Sequence, residues 1–233
     1  MPSSLPLLFV PGLLCSARLY APQIAALWRE GPVMVADHRR NDHIAAVARH
    51  IVETAPPRFA LAGLSYGGYI AFEMMRQAPE RIARLALLDT SARADTAEQT
   101  QAREKFIAMA RAGRLDEVVA TLAPRFVHKN RTDDAALKAT IRAMAEETGA
   151  EAFIRQEKAI ISRPDSRPFL SQIACPTLVL AGDGDELTPP ALAQEIAGGI
   201  AGAELIIVPN CGHLATVERP EPVNAALARW LAG

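Results

Sequence analysis

The stretch Ala60-Leu61-Ala62-Gly63-Leu64-Ser65-Tyr66-Gly67-Gly68-Tyr69-Ile70 decides how the chain folds. Its first half is a short apolar run and its second half opens a helical pattern, so Ser65 falls on the turn between a buried strand and a helix, inside Gly-x-Ser-x-Gly. A serine on so sharp a turn has a strained backbone, and its neighbours two positions away on each side must be tiny. Gly63 and Gly67 meet that need, and Gly68 lets the helix pack close. The turn projects the Ser65 hydroxyl at the carboxyl end of the strand, where open α/β sheets place their ligands. The helix starting at Tyr66 aims its free amides at any negative charge that develops there. A glycine-rich turn with an accidental serine is the bland alternative. Nucleotide readings fail, because GLSYGG is not G-x-G-x-x-G and no Gly-Lys-Ser/Thr is present.

Outward from this turn, short continuous apolar runs recur at 5–10, 33–36, 58–63, 84–89, 176–182 and 204–208, separated by helical patterns. Continuous rather than alternating apolar character predicts strands covered on both faces, hence a doubly wound, mainly parallel sheet of about six strands. Helix-compatible spacing covers Ile44 to Thr54, Tyr66 to Arg76, Pro190 to Ile196 and Pro222 to Leu231. The rhythm breaks over 92–172, which is charged, Ala-rich and without a convincing strand. That predicts an inserted helical cap over one edge of a core formed by 1–91 and 173–233. Such caps commonly gate a site, although a mere helical decoration would look the same in sequence.

Composition limits what these motifs can mean. With 233 residues, half of them apolar, and a formal net charge of −1, the chain can bury a full-sized core. It lacks the clustered Lys and Arg that nucleic acid or an anionic membrane would want. The three cysteines, Cys15, Cys175 and Cys211, are odd in number and far apart, which suits reduced thiols in a cytosol. No basic segment precedes the apolar start, and no run reaches the ~18 apolar residues of a membrane span. The expected setting is cytoplasmic, with a monomer or small homo-oligomer and no nucleic-acid or membrane partner.

A neutral serine hydroxyl is a weak nucleophile and needs a histidine base held by a carboxylate. His213 fits, since it follows the last strand in a loop. His38 and His43 follow the second strand, His50 sits in a helical pattern and His128 in the insertion, so each reads as a surface or packing residue. A metal site from Asp37, His38, Asp42 and His43 lacks a recognised ligand spacing, and no metal or cofactor is expected. For the acid, the loop Gly182-Asp183-Gly184-Asp185-Glu186 offers three carboxylates that these considerations leave open.

Taken together, these motifs resemble the α/β-hydrolase superfamily, especially small bacterial capped esterases, enol-lactonases and proline iminopeptidases. The family pattern Gly-x-x-Asp-x-x-x-Pro falls on Gly182, Asp185 and Pro189, which implies Asp185 as the orienting acid and leaves Asp183 as a turn former bonding its own backbone. The resemblance also implies an oxyanion hole from the backbone N–H groups of Leu13 and Tyr66. Val10-Pro11-Gly12-Leu13 departs from the family's His-Gly-x by placing Pro11 at the histidine, which changes loop support but not the donor. Ala36-Asp37-His38-Arg39-Arg40 likewise lacks glycines common in relatives at that point, and the family's first two antiparallel strands have no room before Leu5.

The implied activity is hydrolysis of a small-molecule carboxylic ester through an acyl-enzyme. A carbon–carbon bond hydrolase, a cofactor-free haloperoxidase or a non-catalytic binding member of the fold are the alternatives. Phe106, Met109, Phe126, Phe153 and Ile154 could line an acyl pocket, but at helical spacing they read first as packing.

Overall fold

The computed structural model describes residues 5–233. Six strands, β1 (Leu7–Val10), β2 (Val33–Val35), β3 (Phe59–Leu64), β4 (Ile82–Leu88), β5 (Thr177–Gly182) and β6 (Glu204–Val208), form one sheet in the order β2-β1-β3-β4-β5-β6. Every pairing is parallel. Strand order reverses between β1 and β3, and such a switch point opens a crevice beyond the carboxyl ends of the two strands. Both Gly12-Leu13, after β1, and Ser65, after β3, therefore face one crevice. The first apolar run, expected to be extended from residue 5, begins its strand only at Leu7.

Ten helices accompany the sheet among the described residues: α1 (Ala21–Leu27), α2 (Ile44–Thr54), α3 (Tyr66–Gln77), α4 (Ala97–Arg111), α5 (Leu115–Leu122), α6 (Ala135–Thr148), α7 (Ala150–Ile161), α8 (Pro190–Gly199), α9 (Ala215–Glu218) and α10 (Pro220–Ala232). Successive strand side chains point to opposite faces. Leu7, Phe9, Ala60 and Ala62 accordingly pack with Leu27 of α1 and Leu227 of α10. Leu8, Val10, Phe59 and Leu61 pack with Val47 of α2, Ile70 of α3 and Ile196 of α8 on the other face. Continuous apolar strands are thus covered on both sides.

Helix α1 is an addition to the elements expected from sequence. Its signal is local: Ser16 caps the turn before it, and Pro22 occupies the first turn, where a missing N–H costs nothing. For the same reason α10 starts at Pro220, two residues before the expected Pro222.

Four helices, α4 to α7, lie between β4 and β5. Thr96 and Gln99 close a capping box on α4, and Asp134 accepts the first amides of α6. Gly149, at φ 75°, takes a left-handed conformation that lets α7 follow α6 without a loop. No helix among the described residues is long and apolar enough to cross a membrane.

Candidate active site

Ser65 has φ 55° and ψ −117°, a region that residues with a Cβ avoid. Three hydrogen bonds of 2.9 Å or less help hold the elbow there. Ser65 N donates to Leu88 O at 2.9 Å, Thr90 Oγ1 donates to Ser65 O at 2.8 Å, and Gly68 N donates to Ser65 O at 2.8 Å. A Cβ on Gly63 would stand 2.3 Å from Gly67 O, and one on Gly67 would stand 2.0 Å from Val10 O. Backbone crosses backbone at both positions, so only glycine fits.

The structure brings Ser65, His213 and Asp185 together from the ends of β3, β6 and β5. His213 Nε2 lies 2.8 Å from Ser65 Oγ, and Nδ1 lies 2.8 Å from Asp185 Oδ2. The carboxylate requires a proton on Nδ1, which leaves Nε2 to accept from the serine hydroxyl. Asp185 also accepts the Thr188 hydroxyl at 2.6 Å and the amides of Leu187 and Thr188 at 2.8 and 3.0 Å. Burial pushes its carboxyl up, but His213 and the Thr188 bonds outweigh that and hold it down at about 2. The Phe126 ring lies roughly parallel to the imidazole, centroids 6.2 Å apart.

Leu13 sits in the turn after β1, and Tyr66 is the first residue of α3, where an N–H has no intrahelical acceptor. Among the described residues neither amide donates a hydrogen bond. Gly12, Leu13, Ser65 and His213 line one cavity of about 310 Å³.

Asp183 reaches beyond its own turn. Partial desolvation pushes its carboxyl up, but backbone N–H groups of Cys211, Asn210 and Gly184 help hold it below the usual range. Its Oδ1 accepts the Cys211 amide at 3.1 Å and so ties the β5 loop to the turn carrying His213. Among the residues to which the sequence assigned no role are two carboxylates that brace the loops of the site. Asp89, fully buried at the end of β4, accepts Gly182 N at 2.9 Å and Ala215 N at 3.3 Å. Burial and then the Asp185 charge push its carboxyl well above the usual carboxylate range. Glu218 accepts His128 N at 2.7 Å and the Gly212 amide, clamping the loop before His213. An acid five residues beyond that histidine, in an otherwise apolar run, is the signal that could have found it.

The remaining histidines divide. His43 caps α2 through Ala45 N, His128 is buried and accepts Asn130 N, and His38 is buried against the β1 turn. Asp37 pairs with Arg39 and Arg40, and Asp42 pairs with Lys158. No group of acidic, histidine or cysteine side chains among the described residues is arranged to hold a metal ion.

Helices between β4 and β5 also line the cavity, through Gln99, Arg103 and Phe106 of α4, Leu122 of α5, and Glu157 of α7. Phe126 lines it as well, whereas Phe153 is wholly buried and, with Ile154, packs in the core. Arg103 bonds Asp95 and Glu157, each at 2.7 Å, and Arg163 pairs with Asp95 at 2.7 Å. The Arg163 guanidinium lies 4.1 Å over the Tyr69 ring on α3, so this buried quartet fastens α4 and α7 to the sheet's own helices.

Comparison with known proteins gives the same outline. A model described as "Alpha/beta hydrolase family" matches residues 7–226. The chain is 30% identical to a putative non-heme bromoperoxidase BpoC of Mycobacterium tuberculosis over 78% of its own length and 70% of the relative. It is 25% identical to the pimeloyl-[acyl-carrier protein] methyl ester esterase of Nitrosomonas europaea, over 77% of its length and 74% of the relative. A solved malate-bound thermophilic esterase from Thermogutta terrifontis superposes with TM-score 0.89 at 28% identity, covering 99% of this chain and 90% of the other.

Proposed function

Since the chain belongs to the alpha/beta hydrolase family, we propose that it is a serine esterase that cleaves carboxylic esters of small or medium acyl groups. The observation that carries this reading is the unbroken run from Ser65 Oγ through His213 to Asp185, 2.8 Å at each step, ending at a serine held in a disfavoured backbone conformation. His213 Nε2 takes the Ser65 proton as Oγ attacks the ester carbonyl. Asp185 stabilises the imidazolium so formed. The N–H groups of Leu13 and Tyr66 receive the oxyanion, each such donor being worth about 3–4 kcal/mol in comparable enzymes. His213 returns its proton to the departing alkoxide, and water then attacks the acyl-enzyme by the same route. This chemistry draws on no cofactor.

In the same reading the helices of 92–172 form a cap whose residues choose the substrate, because Arg103, Phe106 and Leu122 line the same cavity as Ser65. Exchanging them for a relative's helices changes the ratio of kcat/KM between short and long acyl chains. The direct test is hydrolysis of short-chain nitrophenyl esters together with labelling by an organophosphonate. One label on Ser65, and loss of nearly all turnover in a folded Ser65→Ala variant, is the expected result. A label elsewhere, or an active alanine variant, refutes the assignment.

A further inference from the structure

Behind the turn after β1 lies a buried polar contact that the reaction above does not use. His38 is 2% exposed, and its Nε2 lies 3.0 Å from Gly12 O. Gln156 of α7, wholly buried, accepts the Leu14 amide at Oε1 (3.1 Å) and sets its Nε2 3.2 Å from the same ring nitrogen. Neither side chain lines the cavity. Gly12 C=O and Leu13 N–H are opposite ends of one planar trans peptide, so a bond that fixes the carbonyl fixes the direction of the N–H and polarises it as a donor. Leu14 follows at φ 58°, in the left-handed region, where its anchored amide holds it. The His38 ring also lies 5.6 Å from the ring of Tyr66, whose amide is the second donor.

We propose that His38 and Gln156 are positioning residues for oxyanion stabilisation, holding the Gly12–Leu13 peptide from behind in a chain where Pro11 occupies the family's histidine position. The inference rests on the reading of Leu13 N–H as an oxyanion donor. A carbonyl only accepts, so the bond to Gly12 O needs the His38 proton on Nε2. With that proton in place Nε2 cannot also accept from the Gln156 amide nitrogen, and Gln156 acts on the turn through the Leu14 amide that its Oε1 accepts. Burial pulls the His38 ring down to about 4, against the Gly12 bond and the nearby Asp37 charge, so the ring is neutral near pH 7.

The test compares His38→Leu, His38→Gln and Gln156→Met, with Ser65→Ala alongside. For each we would measure kcat and KM on nitrophenyl butyrate, affinity for an alkyl trifluoromethyl ketone and for butyrate, and the urea midpoint. The ketone adds Ser65 and creates an oxyanion, while butyrate does not. The leucine and methionine variants should lose tenfold or more in kcat and weaken ketone binding by the same factor, with KM and butyrate affinity within twofold. His38→Gln, whose amide nitrogen reaches about as far as Nε2, should recover most of the loss. Unchanged kcat and ketone affinity in the leucine variant overturns the proposal. So does an equal fall in ketone and butyrate affinity, or a glutamine variant no better than leucine. Nitrogen-15 NMR of the unaltered protein gives an independent check, since a His38 proton on Nδ1 would also overturn it. An active Ser65→Ala would instead refute the esterase reading, whereas an inactive one beside an unimpaired His38→Leu refutes only the clamp.

Discussion

Asp183 and Asp185 are two residues apart in one loop and serve different partners. Asp185 is buried with Oδ2 on His213 Nδ1 at 2.8 Å, while exposed Asp183 holds the Cys211 amide at 3.1 Å. An orienting carboxylate that becomes an amide presents the wrong tautomer to the base, a change that costs about 10⁴-fold in kcat in a comparable triad. Asp185→Asn should therefore fold and lose activity on that scale. Asp183→Asn keeps an oxygen acceptor for Cys211 and should retain most turnover. The reverse order of kcat would show that the wrong carboxylate has been placed on the histidine.

His38 makes stability depend on pH. Its folded pKa, about 4, lies below the ordinary 6.5, first because burial penalises the charged ring, so the unfolded chain binds more protons in between. Stability from the neutral ring is complete above about 6.5 and falls as pH drops towards 4, by about 3 kcal/mol in all. Urea unfolding at pH 7 and pH 4.5 should show this fall in the unaltered protein and a smaller one in His38→Gln. An equal pH dependence in both would assign it to other groups.

Arg103 neutralises two buried carboxylates, Asp95 and Glu157, that are 2% and 1% exposed. Removing one partner of a buried ion pair typically costs about 3–5 kcal/mol, because a charge is stranded. Arg103→Ala should destabilise on that scale by chemical denaturation. Arg103→Met combined with Glu157→Leu removes both charges, leaves Asp95 with Arg163, and should return to within ~1.5 kcal/mol of the parent. A double variant as unstable as the single one would show that packing rather than charge dominates here.

Two glycines should respond with opposite signs to alanine. At Gly67 the new Cβ meets Val10 O at 2.0 Å, so the elbow or β1 must move, and Gly67→Ala should lose stability and activity together. Gly198 lies in α8 with nothing within 4 Å of a built Cβ. There Gly198→Ala should stabilise by about 0.5–1 kcal/mol, the helix-propensity difference, without touching kcat. Thermal melts of the two variants decide both claims.

What the sequence alone determined is local in origin. The alternation of apolar runs and helical patterns specified a parallel sheet covered on both faces, and the strand-to-helix turn singled out Ser65, because each needs only short-range periodicity or a few adjacent residues. The position of His213 after the last strand was legible for the same reason. Tertiary structure alone decided the contacts made across large sequence separations. The residue types of the 182–186 loop left its three carboxylates open and only the family pattern pointed to Asp185, whereas what Asp183 ties together and how Asp89 and Glu218 brace the loops depend on strand ends brought side by side by the sheet order. The same holds for His38 and Gln156, 118 residues apart in the chain and adjacent behind Gly12. A buried polar side chain has no periodicity of its own. Its place is set by the partner that compensates its lost hydration, and that partner is chosen only when the chain has folded.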